Sequence, residues 1–262
     1  PPSSLVRYAV AYMFRKPLFP ESQDFMIRLN CDYCKGALPE VLEALQTIND
    51  QAFCGYGCDE VCERAARLIR ERAGAPSADV HFLVGGTQAN FVVIESALRP
   101  WQSVICADLG HINVHETGAV EHAGHKCETA PAHDGKISAD QVRAIAANWA
   151  GSIIPEHITQ PKMAYLSMAT ETGSVYTLAE LAAIRAVCDE FSLYLFIDGA
   201  RLGYGLMTDG TDVTLQDVAH LCDVFYIGGT KVGTLFGEAV VITEPALKKD
   251  FLFMMKQHGA RL

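Results

Sequence analysis

The stretch Tyr194-Leu-Phe-Ile-Asp-Gly-Ala-Arg201 decides the fold class of this chain. It places one carboxylate directly after a short apolar run, which is typical of a strand that is buried on both faces of a parallel sheet. Ligands of such sheets bind beyond the carboxyl ends of the strands. Asp198 is therefore predicted to lie at the edge of the sheet where a binding site forms.

The rest of the chain repeats this pattern, because short apolar runs alternate with amphipathic stretches. Capping boxes at Ser138–Gln141 and Thr177–Glu180 mark two helix starts. The predicted fold is α/β, with three α/β/α layers around a mostly parallel sheet of seven strands. The predicted strands are Val80–Val84, Ser103–Ala107, Lys126–Thr129, Met163–Ser167, Tyr194–Asp198, Asp223–Ile227 and Glu238–Ile242.

The composition and charge of the chain disfavour several classes of binding partner. The 262-residue chain is 50% hydrophobic and 20% charged, which predicts an ordered core. Its formal net charge of -10 disfavours nucleic acid and anionic membranes, since the field of the protein repels phosphates. Apolar runs also stay below the roughly 18 residues that a membrane span needs, so no membrane partner is expected.

Cysteine usage predicts a cytoplasmic protein. The nine cysteines are an odd number scattered among apolar segments, which suits a reducing compartment better than a disulfide framework. Cys31 and Cys34 form a C-x-x-C pair, but no second pair stands at zinc-knuckle spacing. We therefore predict no metal site.

A glycine-rich turn follows the first predicted strand. Gly85, Gly86 and Thr87 open a predicted helix, whose free amides and positive end can hold an anion such as phosphate. The segment matches neither of the standard nucleotide-binding fingerprints. A purely structural turn is the alternative interpretation.

Asp198 needs a positive partner if it is buried and ionised. Arg201, three residues further on, would form an internal ion pair. A protonated ring nitrogen of a ligand is the functional alternative, because a carboxylate holds such a ring in its electron-withdrawing form.

Lys231 and His111 are the candidate reactive groups. Lysines are mostly surface residues, but Lys231 follows a predicted buried strand, where burial lowers the pKa of an amine and makes it a nucleophile toward an aldehyde. His111 follows another strand, and a neutral imidazole can stack on a flat ring and exchange protons. His115 fits that role equally well by spacing.

Five segments of the chain carry a family resemblance. They are Asp32-Tyr33 with Gly36-Ala37 and Pro39, Gly55-Tyr56-Gly57, Gly85-Gly-Thr87, Gly110-His-Ile with Glu116-Thr-Gly118, and Asp198-Gly-Ala-Arg201 followed by Gly229-Thr-Lys231. Together they resemble the threonine aldolase branch of the β-eliminating lyases, which are pyridoxal-phosphate (PLP) enzymes with an aspartate aminotransferase-like fold. The resemblance starts at about residue 28.

The resemblance implies a role for each candidate residue. Lys231 would bind the PLP cofactor as a Schiff base, Asp198 would pair with its pyridine nitrogen, and His111 would stack on its ring and assist proton transfer.

Other residues would bind phosphate and substrate. Gly85, Gly86 and Thr87 would hold the phosphate, and Arg201 would bind the carboxylate of an amino-acid substrate. Cys31 stands where the family often has a serine that helps to contact this carboxylate.

The resemblance also implies a domain organisation. Residues 1–27 are expected to form an N-terminal extension or arm, and residues 28–262 a PLP-binding large domain that stops before the family's small C-terminal domain. Ala169-Thr170 stands where the family usually has Asn-Thr, so the resemblance implies an altered hydrogen bond near the cofactor.

The implied activity is cleavage of a β-hydroxy amino acid, such as L-threonine or L-allo-threonine, to glycine and an aldehyde by a homodimer or homotetramer. Another PLP reaction, such as β-elimination, transamination or decarboxylation, is an alternative, because the shared residues do not choose which bond breaks. A non-catalytic oligomeric relative and a nucleotide-binding α/β protein are further alternatives.

Overall fold

The structure, a computed structural model, describes residues 30–261. The chain divides into two compact units, Pro1–Cys34 and Lys35–Leu262. The predicted extension, residues 1–27, lies outside the described residues, and the predicted domain boundary stays a prediction. The elements below all belong to the second unit.

Seven strands form one sheet in the order β1-β7-β6-β5-β4-β2-β3. Strands β2 to β6 are parallel to their neighbours within that group, whereas β7 is antiparallel to both β1 and β6. The predicted mostly parallel sheet of seven strands is confirmed; the fourth strand begins three residues before its predicted start. The strands are β1 Asp79–Leu83, β2 Gln102–Ala107, β3 Lys126–Ala130, β4 Gln160–Ser167, β5 Tyr194–Asp198, β6 Val224–Gly228 and β7 Glu238–Ile242.

Helices cover both faces of the sheet. Ser138 and Thr177 each accept a hydrogen bond from the third residue of the helix that follows, so both predicted capping boxes are confirmed. The helices are α1 Pro39–Ile48, α2 Glu60–Ala73, α3 Gly86–Ala97, α4 His111–Val114, α5 Ala119–His122, α6 Ala139–Ala150, α7 Leu178–Phe191, α8 Leu202–Gly205, α9 Leu215–Leu221, α10 Pro245–Lys248 and α11 Phe251–Gln257. None of the helices in residues 30–261 has the length and apolar character to cross a membrane.

The core lies on both faces of the sheet, which explains the uninterrupted apolar run of β5. Leu195 and Ile197 pack with α6, α7 and α9, whereas Phe196 packs with α3 and α11. Successive side chains of a strand point to opposite faces. Asp198, two residues after Phe196, therefore shares the face that α3 covers.

The turn after β5 packs directly on the backbone of β6. Gly228 donates its amide hydrogen to the carbonyl of Gly199 at 2.9 Å. A Cβ atom on Gly199 would lie 1.7 Å from the carbonyl oxygen of Tyr226. Only glycine fits there, and the close contact fixes the turn that follows Asp198 against the strand that leads to Lys231.

Replacing Gly199 by alanine should lower the free energy of unfolding by at least about 2 kcal/mol, because the new methyl group collides with backbone that has little freedom to move. Urea unfolding followed by circular dichroism measures this loss. Gly36→Ala is the matched control, since a Cβ atom there meets nothing within 4 Å. Equal unfolding midpoints for the two variants would contradict the packing described here.

Candidate active site

Four loops at one edge of the sheet carry the candidate residues. Gly86 is the first residue of α3, which follows β1, and His111 is the first residue of α4, which follows β2. Asp198 ends β5, and Lys231 lies in the turn between β6 and β7. The charges of Asp198 and Lys231 both act on the pKa of His111, so these three side chains share one electrostatic environment.

Asp198 is the most enclosed of these groups, with 4% of its surface exposed. Its Oδ2 accepts hydrogen bonds from Asn90 Nδ2, at 2.9 Å, and from the hydroxyl of Tyr165. Its Oδ1 accepts from the amide of Ala200, at 2.9 Å, and from the hydroxyl of Tyr226. Every one of these partners is a donor, which is the environment that an acceptor-only carboxylate requires.

The strand order explains this donor set. Tyr165 lies on β4 and Tyr226 on β6, the two strands that flank β5 in the sheet. Both hydroxyls are fully buried, and burial together with the neighbouring Asp198 charge raises each tyrosine pKa well above its ordinary value. The two tyrosines therefore stay protonated and act as donors to Asp198.

The glycine turn lies next to this cluster. The N-terminus of α3 has no side-chain cap at Gly85, and a Cβ atom on Gly86 would approach the Tyr226 hydroxyl to 3.0 Å. Gly85 and Gly86 are half-buried, whereas Thr87 is exposed. The arrangement can present helix-terminal amides to an anion beside the Asp198 cluster.

The turn that carries Lys231 is held from two sides. Glu238 accepts hydrogen bonds from the amide of Gly229, at 3.0 Å, and from the hydroxyl of Thr230, at 2.8 Å. The hydroxyl of Tyr204 donates to the carbonyl of Lys231 at 2.7 Å. Lys231 is half-buried, and its charge lowers the pKa values of His111 and Glu238. The amine is thus close to the acid and imidazole groups of the site.

His111 is held by two acids. Its ring Nδ1 lies 2.8 Å from Glu116 Oε1, and its backbone amide donates to Glu171 Oε1 at 3.0 Å. The hydrogen bond from Glu116 raises the pKa of His111, and burial opposes this shift. His115, the alternative by spacing, is exposed, with its ring centre 5.5 Å from that of His111. Geometry therefore favours His111 for a role in the site.

Two of the predicted contacts stay predictions. Cys31 belongs to the N-terminal unit. Arg201 directly precedes α8 and is half-buried. Thr170, the second residue of the Ala169-Thr170 pair, hydrogen-bonds Ser174 in its own loop.

Sequence reasoning missed several residues of the site. Asn90 lies one turn into α3, and Tyr165 and Tyr226 lie inside strands, so none of them follows a strand end. Glu238 could have been predicted from its position, because it is the first residue of β7. The first residue of an antiparallel strand lies at the same edge of the sheet as the last residues of the strands beside it.

A cavity borders the site. This largely apolar cavity of about 720 Å³ lies between α2, β1 and the base of the Lys231 turn, and Glu238 is among the residues that line it. Within residues 30–261 no group of three or more His, Cys, Asp or Glu side chains is arranged to hold a metal ion.

The sequence model of the family described as Beta-eliminating lyase matches residues 31–262. The chain belongs to the beta-eliminating lyase family. Within the beta-eliminating lyases, the low specificity L-threonine aldolase of Pseudomonas sp. is 34% identical over 231 residues, which cover 87% of this chain and 65% of the relative. The low specificity L-threonine aldolase of Saccharomyces cerevisiae is 27% identical, over 84% of this chain and 56% of the relative.

Solved structures show the same relationship. The Leishmania major threonine aldolase superposes with a TM-score of 0.85 and 46% identity, over 88% of this chain and 66% of that structure. Thermus thermophilus aspartate aminotransferase superposes with a TM-score of 0.66 at 18% identity and supports the fold alone. The chain thus spans about 65% of the length of the Pseudomonas threonine aldolase that it matches.

The Glu238 carboxyl should make stability depend on pH. Burial raises its pKa from 4.5 to about 7. The pKa of Glu238 is higher in the folded state than in the unfolded state, so the protonated carboxyl favours folding. This contribution to stability is fully present below pH 4.5 and is lost as the pH rises toward 7. Glu238→Gln should therefore gain roughly 3 kcal/mol of unfolding free energy relative to the wild type across this range.

Urea unfolding at pH 4.5 and pH 7.5 measures the difference. Glu43→Gln, at an exposed position of α1, is the matched control and should follow the wild type at both pH values. Parallel stability curves for the wild type and Glu238→Gln would show that this carboxyl does not titrate as described.

Proposed function

We propose that this protein is a PLP-dependent lyase that cleaves β-hydroxy amino acids, such as L-threonine and L-allo-threonine, to glycine and an aldehyde. The observation that carries the proposal is the convergence of an amine, a buried carboxylate and an uncapped helix N-terminus at one sheet edge. Membership of the beta-eliminating lyase family supports it. The threonine aldolase names of the Pseudomonas and Leishmania relatives support the choice of substrate.

The residues at this edge fit PLP. Asp198 is a buried carboxylate whose four donors match its roughly four lone-pair sites, so the ring N–H of PLP would replace one of the side-chain donors. Glycine at position 86 keeps the space beside Tyr226 open, where a Cβ atom would intrude. When bound, PLP supplies an aldehyde for an amine and an electron-poor ring that withdraws charge from the substrate.

Three parts of the site would bind the cofactor. The Lys231 amine would hold the cofactor until a substrate amine replaces it. Asp198 would keep a proton on the ring nitrogen. The amides of Gly85, Gly86 and Thr87 would bind the phosphate at the N-terminus of α3.

Substrate handling would fall to other groups. Arg201 would bind the substrate carboxylate, with Cys31 as a second contact. His111 would accept the proton of the substrate hydroxyl, after which the bond between Cα and Cβ breaks and the aldehyde leaves. A neutral imidazole is suited to this because its ordinary pKa lies near neutral pH.

The proposal also covers the oligomeric state and the cellular compartment of the protein. We propose a homodimer or homotetramer in the cytoplasm. Family resemblance supports the oligomer. All nine cysteines are free in the structure, which agrees with a reducing compartment.

The purified protein with added PLP should show a visible absorption band and should release glycine from threonine and allo-threonine. Lys231→Ala should lose the band and at least about 99% of glycine release, because no amine remains to hold the cofactor. Absorption spectra and glycine quantification measure both. Lys249→Ala, at an exposed lysine of the same protein, is the matched control and should behave as the wild type.

Other outcomes separate the alternatives. Pyruvate from serine without glycine from threonine would indicate β-elimination, which the family description favours as a second candidate. A visible band that survives in Lys231→Ala would reject the lysine assignment. No PLP binding by the wild type would favour a non-catalytic relative.

A further inference from the structure

Glu116 is a buried acid to which the proposed chemistry assigns no task. Its side chain is 0% exposed, and burial raises its pKa. Its Oε1 accepts a hydrogen bond from Asn90 Nδ2 at 2.7 Å and lies 2.8 Å from His111 Nδ1. In the described part of the chain its Oε2 has no hydrogen-bond partner. Such a group costs free energy to bury, so a pure packing role explains it poorly.

Asn90 fixes the position of Glu116 relative to the centre of the site. Its Nδ2 donates to Glu116 Oε1 at 2.7 Å and to Asp198 Oδ2 at 2.9 Å. The side chain is 0% exposed and lies on α3, a helix of 12 residues that packs on the sheet. Glu116 is therefore tied to the same rigid elements as Asp198.

The backbone of His111 is fixed independently of its ring. Glu171 Oε1 accepts from the His111 amide at 3.0 Å and from Ser167 Oγ at 2.6 Å. Ser167 is the last residue of β4 and pairs with Asp198 of β5. With its backbone held in this way, the remaining freedom of His111 lies in its ring, and Glu116 is the group that restrains it.

We propose that Glu116 is the positioning residue of His111: it keeps the ring proton on Nδ1 and so leaves Nε2 as the atom that exchanges protons with the substrate. A carboxylate accepts but does not donate, so the imidazole nitrogen that faces it must carry the hydrogen. The role of Nε2 toward substrate rests on the proposed function, whereas the ring geometry does not.

Several charged groups surround the ring, and their effects on its pKa have known signs. The Glu116 hydrogen bond raises the pKa of His111 most strongly, and the charge of Asp198 raises it further. Burial and the charge of Lys231 lower it. Glu171 accepts a hydrogen bond from the backbone amide of His111, and His115 lies beside the ring. Removing the charge of Glu116 should therefore lower the pKa of His111.

Nuclear magnetic resonance of histidine-labelled protein with PLP tests the geometry without turnover. The ring nitrogens of wild-type His111 should show the Nδ1–H tautomer above its pKa, and the spectrum of His111→Asn identifies the signals. Glu116→Gln should lower the pKa of this ring and mix its tautomers. Glu121→Gln, at an exposed acid of the neighbouring helix α5, is the matched control and should leave the ring signals unchanged.

Kinetics test the consequence for proton transfer. Glu116→Gln should lower kcat for threonine cleavage by about 10- to 100-fold, as is typical when a histidine loses its orienting partner, with little change in KM. Because the neutral ring is the base, the acid limb of the kcat/KM profile should move to lower pH in this variant. Glu121→Gln should keep the wild-type profile.

The outcomes are distinguishable. An Nε2–H tautomer in the wild type would overturn the inference even if Glu116→Gln fails to fold. An unchanged His111 pKa, or an unmoved acid limb with full kcat, in Glu116→Gln would overturn it too. Absence of threonine cleavage with the expected ring spectra would reject the proposed function and leave the Glu116 geometry intact.

Discussion

The burial of one carboxylate, that of Asp198, is the constraint on which the rest of the site depends. A charge at 4% exposure is stable only if donors surround it. The sheet order β4-β5-β6 supplies Tyr165 and Tyr226 from both sides, and α3 supplies Asn90 from the covering layer. The fold is therefore not only a scaffold for the site, because the pairing of its strands supplies two of the donors that the buried Asp198 needs.

The same buried cluster organises the two groups that would react. Asn90 connects Asp198 to Glu116, and Glu116 restrains the ring of His111. On the other side, Glu238 accepts hydrogen bonds from the amide of Gly229 and the hydroxyl of Thr230, the two residues that precede Lys231. Hydrogen bonds of buried acids thus hold the imidazole ring and the turn that carries the amine at the same edge of the sheet as Asp198.

The sequence predicted the strands and the residues after them, because both follow from local patterns. The apolar run before Asp198 and the capping boxes at Ser138 and Thr177 are signals carried by adjacent residues. Asn90 and Tyr226 were missed, since their importance comes from partners more than 25 residues away: 108 positions separate Asn90 from Asp198, and 28 separate Tyr226 from it. No local pattern specifies which of the buried polar residues in a parallel sheet meet at its edge.

Titration of the protein with PLP tests most directly whether Asp198 is the centre of a cofactor site. Asp198→Asn removes the charge at nearly constant shape, and it should weaken PLP binding by roughly 10- to 100-fold, the value of a hydrogen bond to a charged group. Asp209→Asn, at an exposed position, should bind PLP as the wild type does. Equal affinities of the wild type and a folded Asp198→Asn variant would contradict the account.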